Sequence, residues 1–487
     1  MEFIFAIAGL VALVWVAAIA RKIPRFQLNP VIVIGVLSLL VGTVFGPSFF
    51  SLSAGPIPIT FDRVLIGCMF ALFAFRFLKG KENLQSVNGA DIAILGLLAV
   101  LMISTFTHDW SYRDNLPLSR LLFFNILPIG MYFVAKNSNL SQMDLKFVLG
   151  GFALLGVYLS LTAVAEMREW HWAVFPSYIN DPEVQEFLGR GRGPLHNPVI
   201  NGMLIIVGCC CTFLLGQHVK HRKLLFTLAG IATLIGCLGA FATLTRIVWF
   251  STLIAIAVLI WSTLRGNQRR IFMVVTIVGA IFLGVVAKSG ALNSFKRDKH
   301  VTTHEMSKSA GLRVIFWVIA KKMFEDKPMM GHGFAQYTQA RQGYLTPADA
   351  GTVETTLGGE YIQHNIVLSY ATETGLFGTF FLLAMLGSIA FNGLVVWLTP
   401  DQSLIARQTG LTMILLVCAY FLCGMFQDVT VITMANSLLL FWGGLVSNLY
   451  SRNLALQRSR NHSALETRAG TYPARNAMAG QEQPILG

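Results

Sequence analysis

Residues 224–242 read LLFTLAGIATLIGCLGAFA and residues 247–264 read IVWFSTLIAIAVLIWSTL, joined only by Thr243-Leu244-Thr245-Arg246. Neither run carries a charge, and each approaches the roughly 20 apolar residues that a helix needs to cross a bilayer. The join is therefore a tight turn between two crossings. Working outward, further apolar runs cover residues 3–20, 31–49, 64–77, 92–103, 121–134, 147–165, 199–215, 271–287, 376–398, 409–426 and 431–450. Some are short enough to be re-entrant, so the expectation is an all-α bundle with about eleven to thirteen spans. Residues 3–20 lead into Arg21-Lys22 with no basic segment ahead of them, and read as a first span in place of a cleavable signal.

Composition agrees. Of 487 residues, 54% are hydrophobic and 13% charged, with a mean hydropathy of +0.62, whereas soluble domains carry about 25% charged residues. The net charge of +13 does not indicate a nucleic-acid partner, because many of the cations occupy short gaps between apolar runs. The seven cysteines all fall in apolar segments and lack metal-ligand spacing. They read as packing residues.

Arg21-Lys22 with Arg25, Lys79 with Lys81, Lys136 with Lys146, Lys220 with Arg222-Lys223, and Arg265 with Arg269-Arg270 fall in alternate gaps. The positive-inside rule puts these in the cytoplasm with the tail 451–487, leaving Arg113 and Arg120 as minor exceptions. The domain plan is then spans over 1–166, an outward loop over 167–198, spans over 199–287, a large outward loop over 288–364, spans over 365–450 and a disordered tail over 451–487. Within the large loop, residues 311–326 form an amphipathic helix with Val314, Trp317, Val318 and Phe324 near helical spacing. Pro328 ends it, and Gly331-His332-Gly333 makes a turn.

Four outward features carry chemistry. Gly189-Arg190-Gly191-Arg192-Gly193-Pro194 sets two guanidinium groups among glycines, able to approach phosphate oxygens closely. Arg246 stands on the side where cations are disfavoured; a snorkelling anchor is the alternative. Arg313 lies early in the loop helix, where a solvated face is the plain reading. Glu360 precedes His364 by one helical turn and can orient its imidazole. Asp181-Pro182-Glu183 offers two carboxylates without further ligands, a poor metal site. His304, His332 and His364 lack zinc spacing, and no phosphate-cradling Gly-x-x-x-x-Gly-Lys run is present.

From about residue 189 to 398 the chain resembles the bacterial O-antigen ligase and O-antigen polymerase superfamily. The pieces are Arg192-Gly193-Pro194, Thr243-Leu244-Thr245-Arg246, and the Arg313 helix running into Pro328-Met329-Met330-Gly331-His332-Gly333-Phe334. His364-Asn365 follows, with Leu368, Glu373 and Gly375. The resemblance implies an inner-membrane glycosyltransferase with a periplasmic active site. It takes a glycan from an undecaprenyl diphosphate-linked donor and passes it to a glycan, lipid A–core or other hydroxyl acceptor. It also implies that Arg192 or Arg190, together with Arg246 and Arg313, grips the diphosphate. His364 acts as the base or orienting group, with Glu360 beside it. Neither a cofactor nor a metal is required, and the only other partner expected is membrane lipid. Two readings stand beside this one: a transporter of an anionic substrate, and a protein O-oligosaccharyltransferase.

Overall fold

The computed structural model describes residues 28–46, 49–54, 57–184, 187–288, 303–346 and 363–470. It is a helical bundle. In chain order its helices are α1 (Pro30–Val44), α2 (Phe61–Leu78), α3 (Gly89–Phe106), α4 (Tyr112–Asn137), α5 (Gln142–Met167), α6 (Pro198–His218) and α7 (Lys223–Ala242). Then follow α8 (Arg246–Thr263), α9 (Asn267–Lys288), α10 (Thr303–Asp326), α11 (Ile366–Leu398), α12 (Leu404–Gly424) and α13 (Thr433–Gly470). Among the described residues, eight of these are long and apolar enough to cross a membrane: α3 to α8, α11 and α12. Every expected span from Val31 onward coincides with a helix; residues 3–20 lie outside the described residues.

The expected helices differ in detail for local reasons. α1 starts at Pro30, a residue suited to a first turn, after Asn29 caps the Val31 N–H, and it stops at Val44, short of residue 49. The outward gap that follows holds a small antiparallel hairpin pairing Leu52–Ala54 with Ile57–Ile59. α4 begins earlier than expected, with left-handed backbone at Arg113, Asp114 and Asn115 and a π-helical turn over Leu121–Ile126. The loop helix α10 begins at Thr303, before residue 311, and buries Phe316, Ile319, Ala320 and Met323. Val314, Trp317 and Val318, whose spacing marked the helix as amphipathic, are exposed on another side.

Lipid tails are as apolar as leucine, so the helices must associate by close packing and by hydrogen bonds across them. Small residues let α5 and α6 touch backbone to backbone. A Cβ added to Gly156 would lie 2.5 Å from the Gly208 Cα. At one end of the bundle the Asn29 N–H donates to Asp144 Oδ1 at 2.7 Å, and its amide donates to Glu82 Oε1 at 3.1 Å. Lys136 pairs with Asp91 there, both buried, while the Tyr132 hydroxyl donates to Asp91 at 2.8 Å.

The expectation of a disordered tail from residue 451 is corrected over 451–470, because α13 runs unbroken to Gly470. Tertiary bonds hold the helix on where hydropathy falls. Asn448 donates to Lys136 O and Ser138 O, and Arg452 donates to Leu140 O at 2.9 Å. Residues 471–487 lie outside the described residues.

Candidate functional site

Successive crossings alternate in direction, so one end of the bundle gathers the C-termini of α5, α7 and α12 and the N-termini of α6, α8, α11 and α13. Arg190, Arg192, Arg246 and His364 all belong to this end. The opposite end carries the basic turns Lys220–Lys223 and Arg265–Arg270 and the network around Asp144.

The two first-loop arginines are both engaged inside the fold, Arg192 within the loop and Arg190 beyond it. Arg192 is 1% exposed. Its guanidinium donates to Ile179 O at 2.6 Å and to Val184 O. Its backbone N–H and that of Gly193 both donate to Glu166, at 3.1 and 2.9 Å, from the last turn of α5. Burial lowers the pKa of the neighbouring His196, and the Arg192 charge lowers it further. Arg190, also buried, reaches the α7–α8 turn instead. Its Nη2 donates to Thr245 Oγ1 at 2.7 Å, Nε to Thr243 O at 3.4 Å and Nη2 to Leu244 O at 3.5 Å. Gly191 N donates to Ala242 O at 3.0 Å. The loop expected to grip phosphate thus grips the turn that carries Arg246.

Arg246 is exposed at the first position of α8. Thr245 precedes it as N-cap residue, yet its hydroxyl does not cap the helix; it donates backward to Thr243 O at 2.9 Å while accepting from Arg190. The initial N–H groups of α8 are therefore left without a side-chain cap from Thr245. Backbone N–H groups and the helix dipole at such a terminus favour an anion.

α11 begins directly after His364, whose backbone is left-handed at φ 51°, with Asn365 capping the N–H groups of Val367 and Leu368. Between two and three turns further in, the helix breaks at Gly375, φ 65°. The break frees two carbonyls and two N–H groups, and the segment after α10 pairs with all four. His332 N donates to Thr372 O at 2.9 Å, and Gly333 N to Glu373 O at 3.0 Å. Leu376 N donates to Pro328 O at 2.7 Å, and Phe377 N to Met329 O at 3.4 Å. Buried Glu373 accepts from Ala335 N at 2.9 Å. Irregular backbone at membrane depth persists only with such replacement partners.

Arg313 lies in α10, which packs against α11, but its side chain is outside the described residues. Glu360 is outside them altogether, so its pairing with His364 has no geometry here. Sequence reasoning passed over Arg341, which is buried with its guanidinium 5.7 Å from the Tyr337 ring. Burial lowers its pKa, and the like charge of Arg113 adds to this. Phe334 N donates to Ser104 Oγ at 2.9 Å and Gln336 to Asp109 O at 2.8 Å, drawing the 104–113 region to the same place. The signal was available: Arg113 and Arg120 broke the charge rule as Arg246 did. Among the described residues no three His, Cys, Asp or Glu side chains are grouped to hold a metal ion.

Residues 231–383 match the family model described as O-antigen ligase. The match takes in Arg246, Arg313 and His364 and leaves Arg190 and Arg192 before it. No curated protein matches the chain.

Proposed function

We propose that this membrane protein, whose residues 231–383 match the O-antigen ligase family model, transfers a glycan from an undecaprenyl diphosphate carrier to an acceptor hydroxyl at the periplasmic face. The observation that carries the reading is the exposed Arg246, the first residue of a helix without a side-chain cap, at the end of the bundle that also bears His364. The acceptor oxygen attacks the anomeric carbon while the bond from that carbon to the carrier phosphate breaks. The diphosphate departs with the bonding electrons, and the hydroxyl proton passes to His364. Arg246 and Arg313 hold the diphosphate as its charge grows, a contribution of about 2.7–4 kcal/mol for one comparable donor. Arg190 and Arg192 support the site by fixing the loop and the turn, a change from the diphosphate-binding role expected of them.

The exposed face of α10 suits a lipid-borne donor. Val314, Trp317 and Val318 present apolar surface beside Lys321 and Lys322, the arrangement of a helix that rests in the membrane interface. The acceptor distinguishes a ligase, a polymerase and a protein glycosyltransferase. The deciding experiment incubates the purified chain with a defined lipid-linked glycan and lipid A–core, a second lipid-linked glycan and a protein in competition. The product names the acceptor. Uptake of the anionic donor into sealed vesicles without any glycosidic bond formed would replace this reading with transport.

A further inference from the structure

Of the residues on either side of His364, Asn365 is tied directly to the turn after α12 and Gln363 is linked to it through Ser369. Asn365 Nδ2 donates to Met425 O at 3.2 Å, while its Oδ1 accepts from Val367 N and Leu368 N at 2.9 and 3.0 Å. Gln363 Nε2 donates to Thr372 Oγ1 at 2.6 Å. The Thr372 hydroxyl in turn donates to Leu368 O at 2.8 Å. Gln363 Oε1 faces Ser369, whose Oγ lies 3.0 Å away. The single proton of Ser369 Oγ goes to the shorter of its two contacts, Asp428 Oδ2 at 2.6 Å. The other Asp428 oxygen accepts from Thr430 N at 3.0 Å. Gln363, Ser369, Thr372 and Asp428 are all buried.

Between these two tethers His364 is held at φ 51°. A non-glycine residue stays in the left-handed region only when its surroundings over-determine it. Here the surroundings are a polar chain of Asp428, Ser369 and Gln363 on one flank and the Asn365 cap on the other. A buried polar chain is costly unless every member is satisfied, and its members act together.

We propose that Asp428, acting through Ser369 and Gln363, is a positioning residue that sets the backbone of His364 and so aims its imidazole at the acceptor hydroxyl. This rests on the reading of His364 as the group that receives the acceptor proton. Asp428 touches no substrate. Its removal leaves donor binding intact and degrades the alignment of the reacting atoms, where a misplacement of about 1 Å can cost about 10²-fold in rate.

The test uses the full chain purified in detergent, with a lipid-linked glycan as donor, and measures donor binding and transfer on the same samples. Asp428→Asn and Ser369→Ala are expected to lower kcat about 10- to 100-fold with donor affinity unchanged, and Ser369→Thr, which keeps the hydroxyl, to restore most of the rate. His364→Ala combined with Ser369→Ala is expected to be no slower than His364→Ala alone, since both act on one group. Retained donor binding shows that each variant is folded. Multiplying losses in the double variant, or wild-type kcat in both Asp428→Asn and Ser369→Ala beside an inactive His364→Ala, would overturn the positioning role and leave His364 as the base. Wild-type transfer by His364→Ala would overturn both.

Discussion

The His332 N–H donates to the Thr372 carbonyl at 2.9 Å, bridging the break in α11 from a segment that follows a different helix. Gly375 makes the break possible: a Cβ there would lie 2.4 Å from the Met329 carbonyl carbon, and its φ of 65° strains any side chain. Gly375→Ala is therefore expected to lower stability by about 1–3 kcal/mol, with transfer lost as Pro328–Gly333 moves. Gly387→Ala, in the same helix with nothing near its Cβ, should leave the melting temperature unchanged. Equal melting temperatures for the two variants would show that the break does not depend on Gly375.

Arg190 is expected to act on Arg246 through the turn between them. Arg190→Ala removes the bond to Thr245 and should reduce transfer without abolishing it, while Arg190→Lys recovers only part, because lysine lacks the planar fork. In the Arg246→Ala background, Arg190→Ala should add little further loss. Independent, multiplying effects would instead make Arg190 a direct diphosphate ligand.

Glu166 accepts two backbone N–H groups, from Arg192 and Gly193. Glu166→Gln replaces one acceptor oxygen with a donor and strands a buried N–H, a cost of about 1–3 kcal/mol. Thermal unfolding in detergent should show the loss. An unchanged midpoint would mean that the Gly189–Pro194 loop is held by the arginine side chains alone.

The apolar runs made the bundle legible, because a helix that must satisfy its own backbone in lipid leaves a long uncharged run in the sequence. Arg246 and His364 stood out as polar residues against that background, and the structure brings both to one end of the bundle. The contacts of Arg190 and Arg192 were not legible, because an arginine that binds carbonyls and one that binds phosphate look alike until the loop is folded. The inward face of α10 was not legible, because Val314, Trp317 and Val318 have helical spacing as good as that of Phe316, Ile319 and Met323. The break at Gly375 left no periodic trace, since glycine is common in membrane helices. Asp428 is a lone acid in a short turn, and only its 2.6 Å contact with Ser369 gives it meaning.

Sidedness follows from the charge alternation. A cysteine placed at Lys322 in α10 is expected to react with an impermeant thiol reagent from the periplasm, and one at Ser459 in α13 only after the membrane is opened. Labelling of both from the same side would invert or dismantle the topology, and the periplasmic site with it.

The most direct measurement sets donor binding beside turnover in Arg246→Ala and His364→Ala, using purified protein and a lipid-linked glycan. Arg246→Ala is expected to weaken donor binding and to cut transfer by about 10²–10³-fold. His364→Ala is expected to bind donor as the wild type does and to lose about 10²–10⁴-fold in rate, the contribution of a general base. Wild-type transfer by Arg246→Ala would reduce that residue to an anchor at the membrane surface, and loss of donor binding in His364→Ala would move the histidine from the acceptor to the diphosphate.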